Sequence, residues 1–267
     1  MRQDDRTLVD RALHPARVAA YRPGQFAGQE SFMTADEVRA LAARAGIAPG
    51  VAVLDLCCGV AGPGRLLTRE LRCSYLGVDA NPSAVAIARE RAGDLPCRFV
   101  VAQLPPLPTG PFNVVLALET MLAFEDKDAL VREIFPALRP AGRFAFTLEE
   151  GSQLTAAERA AMPGAETVWP TPLEDVAASL ERAGLAVVWQ EDHSRAHRAV
   201  AQALADAFAA HGEQIAAQLG GRALDDLLAA HRLWVRWLDE GRVRKLAVVA
   251  ERAQRAGAWV SGRACRG

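Results

Sequence analysis

Several residue types are scarce in this chain of 267 residues: it has 2 tyrosines, 5 histidines and 5 cysteines, and aromatic residues make up 6%. The cysteines are Cys57, Cys58, Cys73, Cys97 and Cys265. None forms a C-x-x-C pair, which excludes the common zinc knuckles and dithiol redox motifs. An odd count with two adjacent thiols argues against a disulfide framework and points to the cytoplasm. The formal net charge is −1, so the chain lacks the positive excess of a nucleic-acid binder. No apolar run approaches the roughly 20 residues of a membrane span, and the opening Met1-Arg2-Gln3-Asp4-Asp5-Arg6 is too polar for a secretion signal. Lysine is almost missing: of 31 basic residues, all but Lys127 and Lys245 are arginine. That skew reads as a habit of composition without mechanistic content.

What is present is globular. Hydrophobic residues make up 51% and charged residues 24%, a balance that excludes disorder. Short apolar runs bounded by turn residues predict strands at 51–56, 74–79, 98–102, 112–118, 143–149, 185–190 and 243–250. Helices are expected between them. Thr34 and Glu37 form a capping box for a helix closed by Gly46. Asn81 and Pro82 open another that runs to Gly93. Pro136 is expected to kink or end a helix at 126–138. Two long helical stretches, 195–219 and 223–240, separate the sixth and seventh strands. Strand and helix alternating in this way predict an α/β fold with a doubly wound, mostly parallel seven-stranded sheet. The expected units are an N-terminal helical arm at 1–46, an α/β core at 47–192, a helical lid insertion at 193–241, and a last strand with a flexible tail at 242–267.

In such sheets ligands bind beyond the carboxyl ends of the strands. The first strand runs into Asp55-Leu56-Cys57-Cys58-Gly59-Val60-Ala61-Gly62-Pro63-Gly64, small residues that let backbone approach a ligand. Asp79 ends the second strand, 20 residues beyond Gly59, the spacing of an acid that accepts both ribose hydroxyls of a nucleoside. Its alternative role is a helix-cap or turn acid. The dinucleotide pattern G-x-G-x-x-G is not met, because Ala61 stands where its second glycine would be, and Pro63 removes an amide donor from the helix start.

Val53-Leu54-Asp55-Leu56-Cys57-Cys58-Gly59-Val60-Ala61-Gly62, Gly77-Val78-Asp79, Ser83-Ala84-Val85-Ala86-Ile87-Ala88 and Leu138-Arg139-Pro140-Ala141-Gly142 together resemble class I S-adenosylmethionine-dependent methyltransferases. The likeness covers about 50–190. Within the family the chain is similar to the small-molecule branch that includes sarcosine/dimethylglycine and natural-product methyltransferases. The resemblance implies a Rossmann-like fold and S-adenosyl-L-methionine as cofactor, with S-adenosyl-L-homocysteine as product. It also implies a small-molecule acceptor in secondary metabolism, with no nucleic-acid or membrane partner. The cofactor set it implies is Asp55, Cys57, Gly59, Asp79, Ala80, Gln103, Leu104 and Glu119. Gln103 stands where the family often has an aspartate for the adenine amine, and a glutamine carbonyl also accepts from it. The family usually has glycines where Cys57 and Ala61 stand. Its N-terminal segment covers the cofactor, which makes Tyr21, Phe26 and Gln29 candidate substrate contacts. Trp169, in a Pro-bounded loop, joins them.

Methyl transfer from a sulfonium is an in-line displacement that asks the protein for alignment and, for some acceptors, a base. Glu149, Glu150 and His193 are the catalytic candidates, and Glu119 is a further carboxylate at a strand end. Each also suits a solvated strand terminus or helix start. His193 and His197 are spaced i, i+4, but no H-E-x-x-H motif or third ligand accompanies them, so no metal is expected. Two other readings stay open. One keeps the fold and drops the transfer, as a cyclase or a non-catalytic interaction protein. The other is a nicotinamide-dependent oxidoreductase. The sequence is silent on the acceptor atom, the role of the lid arginines and the oligomeric state.

Overall fold

The computed structural model describes residues 3–253. The expected tail beyond them, with Cys265, lies outside the described residues. The seven strands are β1 (Ala52–Leu56), β2 (Ser74–Asp79), β3 (Cys97–Val101), β4 (Phe112–Ala117), β5 (Leu138–Glu150), β6 (Leu185–Asp192) and β7 (Arg244–Arg252). They form one sheet in the order β3-β2-β1-β4-β5-β7-β6. The pairs among β1 to β5 are parallel. β7 runs antiparallel to both β5 and β6, so β6 points the same way as the parallel set. The carboxyl ends of β1, β2, β4, β5 and β6 therefore meet along one edge, with the start of β7 among them.

The helices are α1 (Gln3–Ala20), α2 (Ala35–Ala45), α3 (Gly62–Leu71), α4 (Pro82–Ala92), α5 (Lys127–Ala137), α6 (Ala156–Ala161), α7 (Leu173–Arg182), α8 (Ser194–Ala210), α9 (Gly212–Leu219) and α10 (Gly221–Asp239). Period-2 alternation sorts the strand side chains onto two faces. Val53, Val114, Leu116, Ala145 and Val249 pack with Val38 and Leu41 of α2, Leu66 and Leu67 of α3 and Val85 of α4. Leu54, Leu56, Phe144, Phe146, Leu148 and Val248 pack with Leu130 and Ile134 of α5 and Leu180 of α7. A third core joins Leu13 and Ala16 of α1 to Leu204 and Phe208 of α8 and to Leu233, Trp234 and Trp237 of α10. The N-terminal helix and the insertion thus bury their apolar faces against each other over the sheet edge.

Two local expectations need correction. The helical stretch 195–219 is split: α8 ends at Ala210, His211 intervenes, and α9 starts at Gly212. The fifth strand starts at Leu138 rather than at 143, although Leu138-Arg139-Pro140-Ala141-Gly142 still interrupts the pairing. The register with β4 jumps from Phe112↔Leu138 to Val114↔Arg143, and Ala141 takes a positive φ of 58°. Pro136 sits in the last turn of α5, which stops one residue later.

Candidate active site

Between β1 and α3 the backbone turns back on itself. Cys57, Gly59 and Ala61 have φ of 53°, 54° and 55°, a left-handed region that costs a non-glycine residue about 1–2 kcal/mol. The chain thus places Cys and Ala in conformations that glycine holds freely, at the two positions where the resembled family has glycine. The turn is closed by Ala61 N donating to Cys58 O at 2.8 Å and tied to β2 by Cys58 N donating to Val78 O at 2.9 Å.

Asp79 holds this turn. Its Oδ2 accepts from Gly59 N at 2.9 Å and its Oδ1 from Asn81 N at 2.8 Å. Each oxygen keeps a lone pair, and the residue lines the cavity beyond the turn. The turn-acid role and a ligand-binding role are therefore compatible. Behind it, Asp55 is buried and accepts from Tyr75 OH at 2.6 Å. Burial pushes the Asp55 carboxyl up to about 7, with the Tyr75 bond opposing and the Asp79 charge adding. Burial, with Asp79 and Asp55 adding, pushes the Cys57 thiol up to about 12. Cys57 is therefore a neutral wall of the site rather than a nucleophile.

The cavity has a volume of about 260 Å³. Asp55, Cys57, Gly59, Asp79 and Glu119 of the expected cofactor set line it, whereas Ala80, Gln103 and Leu104 do not. Gln103 is exposed. The segment between α1 and α2 closes the cavity. Gly28 crosses Gly62 so tightly that a Cβ on Gly62 would lie 2.3 Å from the Gly28 carbonyl carbon. Gln29 is buried there, but its amide is spent on its own segment: Oε1 accepts from Ala27 N at 2.6 Å, and Nε2 donates to Gln25 O and Met33 O at 2.9 and 2.8 Å. It shapes the wall without offering a free donor. Glu30 is paired with Arg6 and Arg17 of α1.

A second cavity, about 100 Å³, shares the Gln29-Glu30-Ser31 wall. Tyr21 lines it with Phe32, Leu204, Phe208, Leu227 and His231. Tyr21 OH donates to Ser31 O, and burial, aided by the Glu119 charge, keeps the phenol protonated by pushing it well above its ordinary value. His231 Nδ1 donates to Leu227 O at 2.8 Å, since a carbonyl only accepts. Burial holds the imidazole below its usual value, so the ring is neutral with Nε2 as a free acceptor.

The other expected residues lie elsewhere. Phe26 packs on Tyr21 and His14 outside both linings. Trp169 lies under Arg159, whose guanidinium carbon is 3.8 Å from the ring centroid, also away from both cavities. Glu150 is not a free base, because Arg244 Nε donates to it at 2.8 Å. Glu149 is 1% exposed and receives a 2.5 Å bond from Lys245 Nζ. Lys245 Nζ also donates to Glu119 at 2.8 Å. Glu119, at φ 54°, gives its amide to Thr147 Oγ1 at 2.6 Å. Burial opposes ionisation of Glu119, but Lys245 and His197 outweigh it and hold the carboxyl below its usual value. His193, expected to be catalytic, is buried beside His197 and lines neither cavity. The sequence shows no third ligand beside these two histidines; in the fold, Glu37 of α2 comes within 3.4 Å of both rings.

Sequence reasoning missed His231, Phe208, Glu37 and Lys245. For the first two the signal was periodicity: Leu204 and Phe208, and Leu227, His231 and Trp234, each mark one helix face. For Lys245 it was a lone cation opening the apolar run Leu246-Ala247-Val248-Val249-Ala250.

Residues 53–142 match the family model described as "Methyltransferase domain". Phosphoethanolamine N-methyltransferase 1 of Arabidopsis thaliana is 33% identical over 99 residues, 36% of this chain and 20% of that protein. Methyltransferase GfsG of Streptomyces halstedii is 28% identical over 178 residues, 62% of this chain and 63% of that protein. The chain spans between 20% and 49% of the length of the first curated relatives it matches. Among solved structures, the [4+2]-cyclase SpnF superposes with a TM-score of 0.69 at 24% identity, covering 82% of each chain. The cyclopropane synthase MmaA2 of Mycobacterium tuberculosis gives 0.79 at 13% identity, covering 91% of this chain and 93% of that one. Residues 53–142 thus match a methyltransferase domain, set in a Rossmann-like fold.

Proposed function

We propose that the chain transfers a methyl group from S-adenosyl-L-methionine to a small, largely apolar metabolite that carries a hydroxyl or amine. The observation that carries this reading is the anchored Asp79 at the mouth of a left-handed turn, inside the segment that matches a methyltransferase domain. The residues fit the cofactor: Asp79 keeps acceptor capacity for two ribose hydroxyls, and the turn brings backbone to the cavity wall. When bound, the cofactor supplies an electrophilic methyl group.

The protein's part is alignment, dryness and one proton. The Gln29-Glu30-Ser31 wall, common to both cavities, sets the acceptor beside the cofactor. Phe32, Leu204, Phe208 and Leu227 exclude water from it. His231 Nε2 takes the proton that the acceptor oxygen or nitrogen loses as its bond to carbon forms. The natural-product setting rests on the resemblance alone. The free thiols of Cys57, Cys58, Cys73 and Cys97 support a reducing, cytoplasmic compartment.

Calorimetric titration of the cofactor and its demethylated product tests the binding half. Asp79→Ala removes a charged acceptor worth about 1.5–3 kcal/mol per bond, so affinity falls by at least about 10-fold. Binding within about 3-fold of wild type removes Asp79 from the site. Product mass tests the other half, because only transfer adds a methyl group. The likeness to SpnF favours a second reading, a cyclase on the same scaffold, and product of unchanged mass would select it.

A further inference from the structure

Glu37, His193 and His197 come from α2, the end of β6 and the first turn of α8. Each offers one ligand atom, and these atoms lie within 4.8 Å of one another. His193 Nδ1 is 3.4 Å from Glu37 Oε1, and His197 Nε2 is 3.4 Å from Glu37 Oε2. Both distances exceed the roughly 2.7–3.2 Å of a good N–H···O bond. His193 Nδ1, His197 Nδ1 and His197 Nε2 are buried without a hydrogen-bond partner. A tetrahedral ion with ligand bonds of about 2.0–2.1 Å spaces its ligands about 3.3–3.4 Å apart. The three residues therefore bring their ligand atoms close enough together to share one ion.

The surroundings agree. Carboxylates lie near the far nitrogens, beyond hydrogen-bond length: Glu119 Oε1 is 3.6 Å from His197 Nδ1 and Glu191 Oε2 is 3.8 Å from His193 Nε2. Glu119 is itself held by Lys245. Charge points the same way. Glu37, Glu119 and Glu149 bring three carboxylates to the cluster, and Lys245 brings one ammonium. Carboxylates outnumber the ammonium, an excess that favours a cation at the cluster. Two nitrogens and one oxygen suit zinc better than magnesium or calcium.

We propose that Glu37, His193 and His197 bind one divalent transition-metal ion, zinc by its donor set, as a clamp between α2 and the start of α8. None of the three lines either cavity, so the ion braces the lid over the sheet edge and takes no part in methyl transfer.

The test uses the full chain, stripped by a chelator and titrated with zinc against a chromophoric chelator. One equivalent is taken up, and the thermal midpoint rises with it. Glu37→Gln and His193→Gln each weaken uptake by more than about 100-fold. If His197→Gln does not fold, these two variants, the half-buried Glu37 first, carry the result. Cobalt in place of zinc gives tetrahedral d–d bands without thiolate charge transfer. Failure of the wild type to take up one equivalent overturns the proposal. So does uptake unchanged by both variants, or a thiolate band, which would put the ion on cysteine. The readout needs no cofactor, so it stands apart from the fate of the methyl-transfer reading.

Discussion

Lys245→Met is the perturbation whose cost the geometry fixes most closely. The Lys245 ammonium lies 2.5 Å from Glu149 and 2.8 Å from Glu119. It also lies 5.0 and 5.1 Å from the ring centroids of Phe32 and Trp234. Lysine and Glu149 are 2% and 1% exposed. Methionine fills the volume but strands two buried carboxylates, and breaking a buried pair from one side costs about 3–5 kcal/mol. On a chain of this size that lowers the thermal midpoint by about 6–20 °C. The assay is urea unfolding of wild type and variant across pH. In the variant, burial of Glu119 without the lysine cation opposes its ionisation, which then costs stability as pH rises above the unfolded value of about 4.3. In the wild type Glu119 is held low, so its contribution is present above that value and is lost as pH falls. The deficit is therefore widest at neutral pH and narrows toward pH 4. Removing Glu119 and Glu149 together with the lysine, as Gln, Gln and Met, recovers most of it. A deficit below about 1 kcal/mol, or one that widens in acid, refutes the account.

Asp55→Asn tests the buried carboxyl behind the turn. Its folded pKa of about 7 exceeds the unfolded value of about 3.9, so its contribution is complete below that value and is lost as pH rises through 7. The asparagine variant shows a smaller fall in denaturation midpoint between pH 5 and 8 than the wild type, and an equal fall argues against the assignment. Gly62→Ala drives a methyl group into the Gly28 and Gln29 backbone, with contacts of 2.3 to 2.6 Å. It lowers stability by about 1–3 kcal/mol and opens the segment around Gly28 to protease, which limited proteolysis reads directly. Unchanged cleavage would mean that the crossing is looser than described.

All seven strands were legible because each is a short apolar run between turn residues; the central ones are buried on both faces, while β3 and β6, at the sheet edges, are largely exposed and were marked by their β-branched residues and flanking turns. The order of the last two was not legible. Nothing in 243–250 says that this strand inserts between its two predecessors in the sheet. The turn after β1 was readable from its small residues, and Asp79 from its spacing. The cavity contacts from α8 and α10 were hidden in ordinary helical periodicity, because a residue facing a pocket and one facing a core obey the same spacing. The carboxyl-edge cluster draws on positions 37, 119, 149, 193, 197 and 245, which only the sheet brings together. The lysine shortage, read as empty of meaning, turned out to be positional. Lys127 and Lys245 are both buried. Lys127 Nζ donates to Phe124 O at 2.9 Å and to Trp169 O at 2.6 Å, and burial lowers it to about 8. A compact ammonium with rotatable donors fits such sites where a planar guanidinium does not.

The insertion of β7 between β5 and β6 bears on how the chain is made. Until residues 244–252 are available, β5 and β6 each present an unpaired edge where β7 belongs, and such edges recruit other chains. Glu119 and Glu149 also wait for their cation. The core strands β1 to β5 can pair as they emerge during synthesis, but the sheet closes only when its penultimate position is filled by its last strand. A ribosome stalled before Arg244 therefore holds a species exposed to aggregation and dependent on chaperones, and the nine-residue strand β7 makes the difference between that species and the closed sheet.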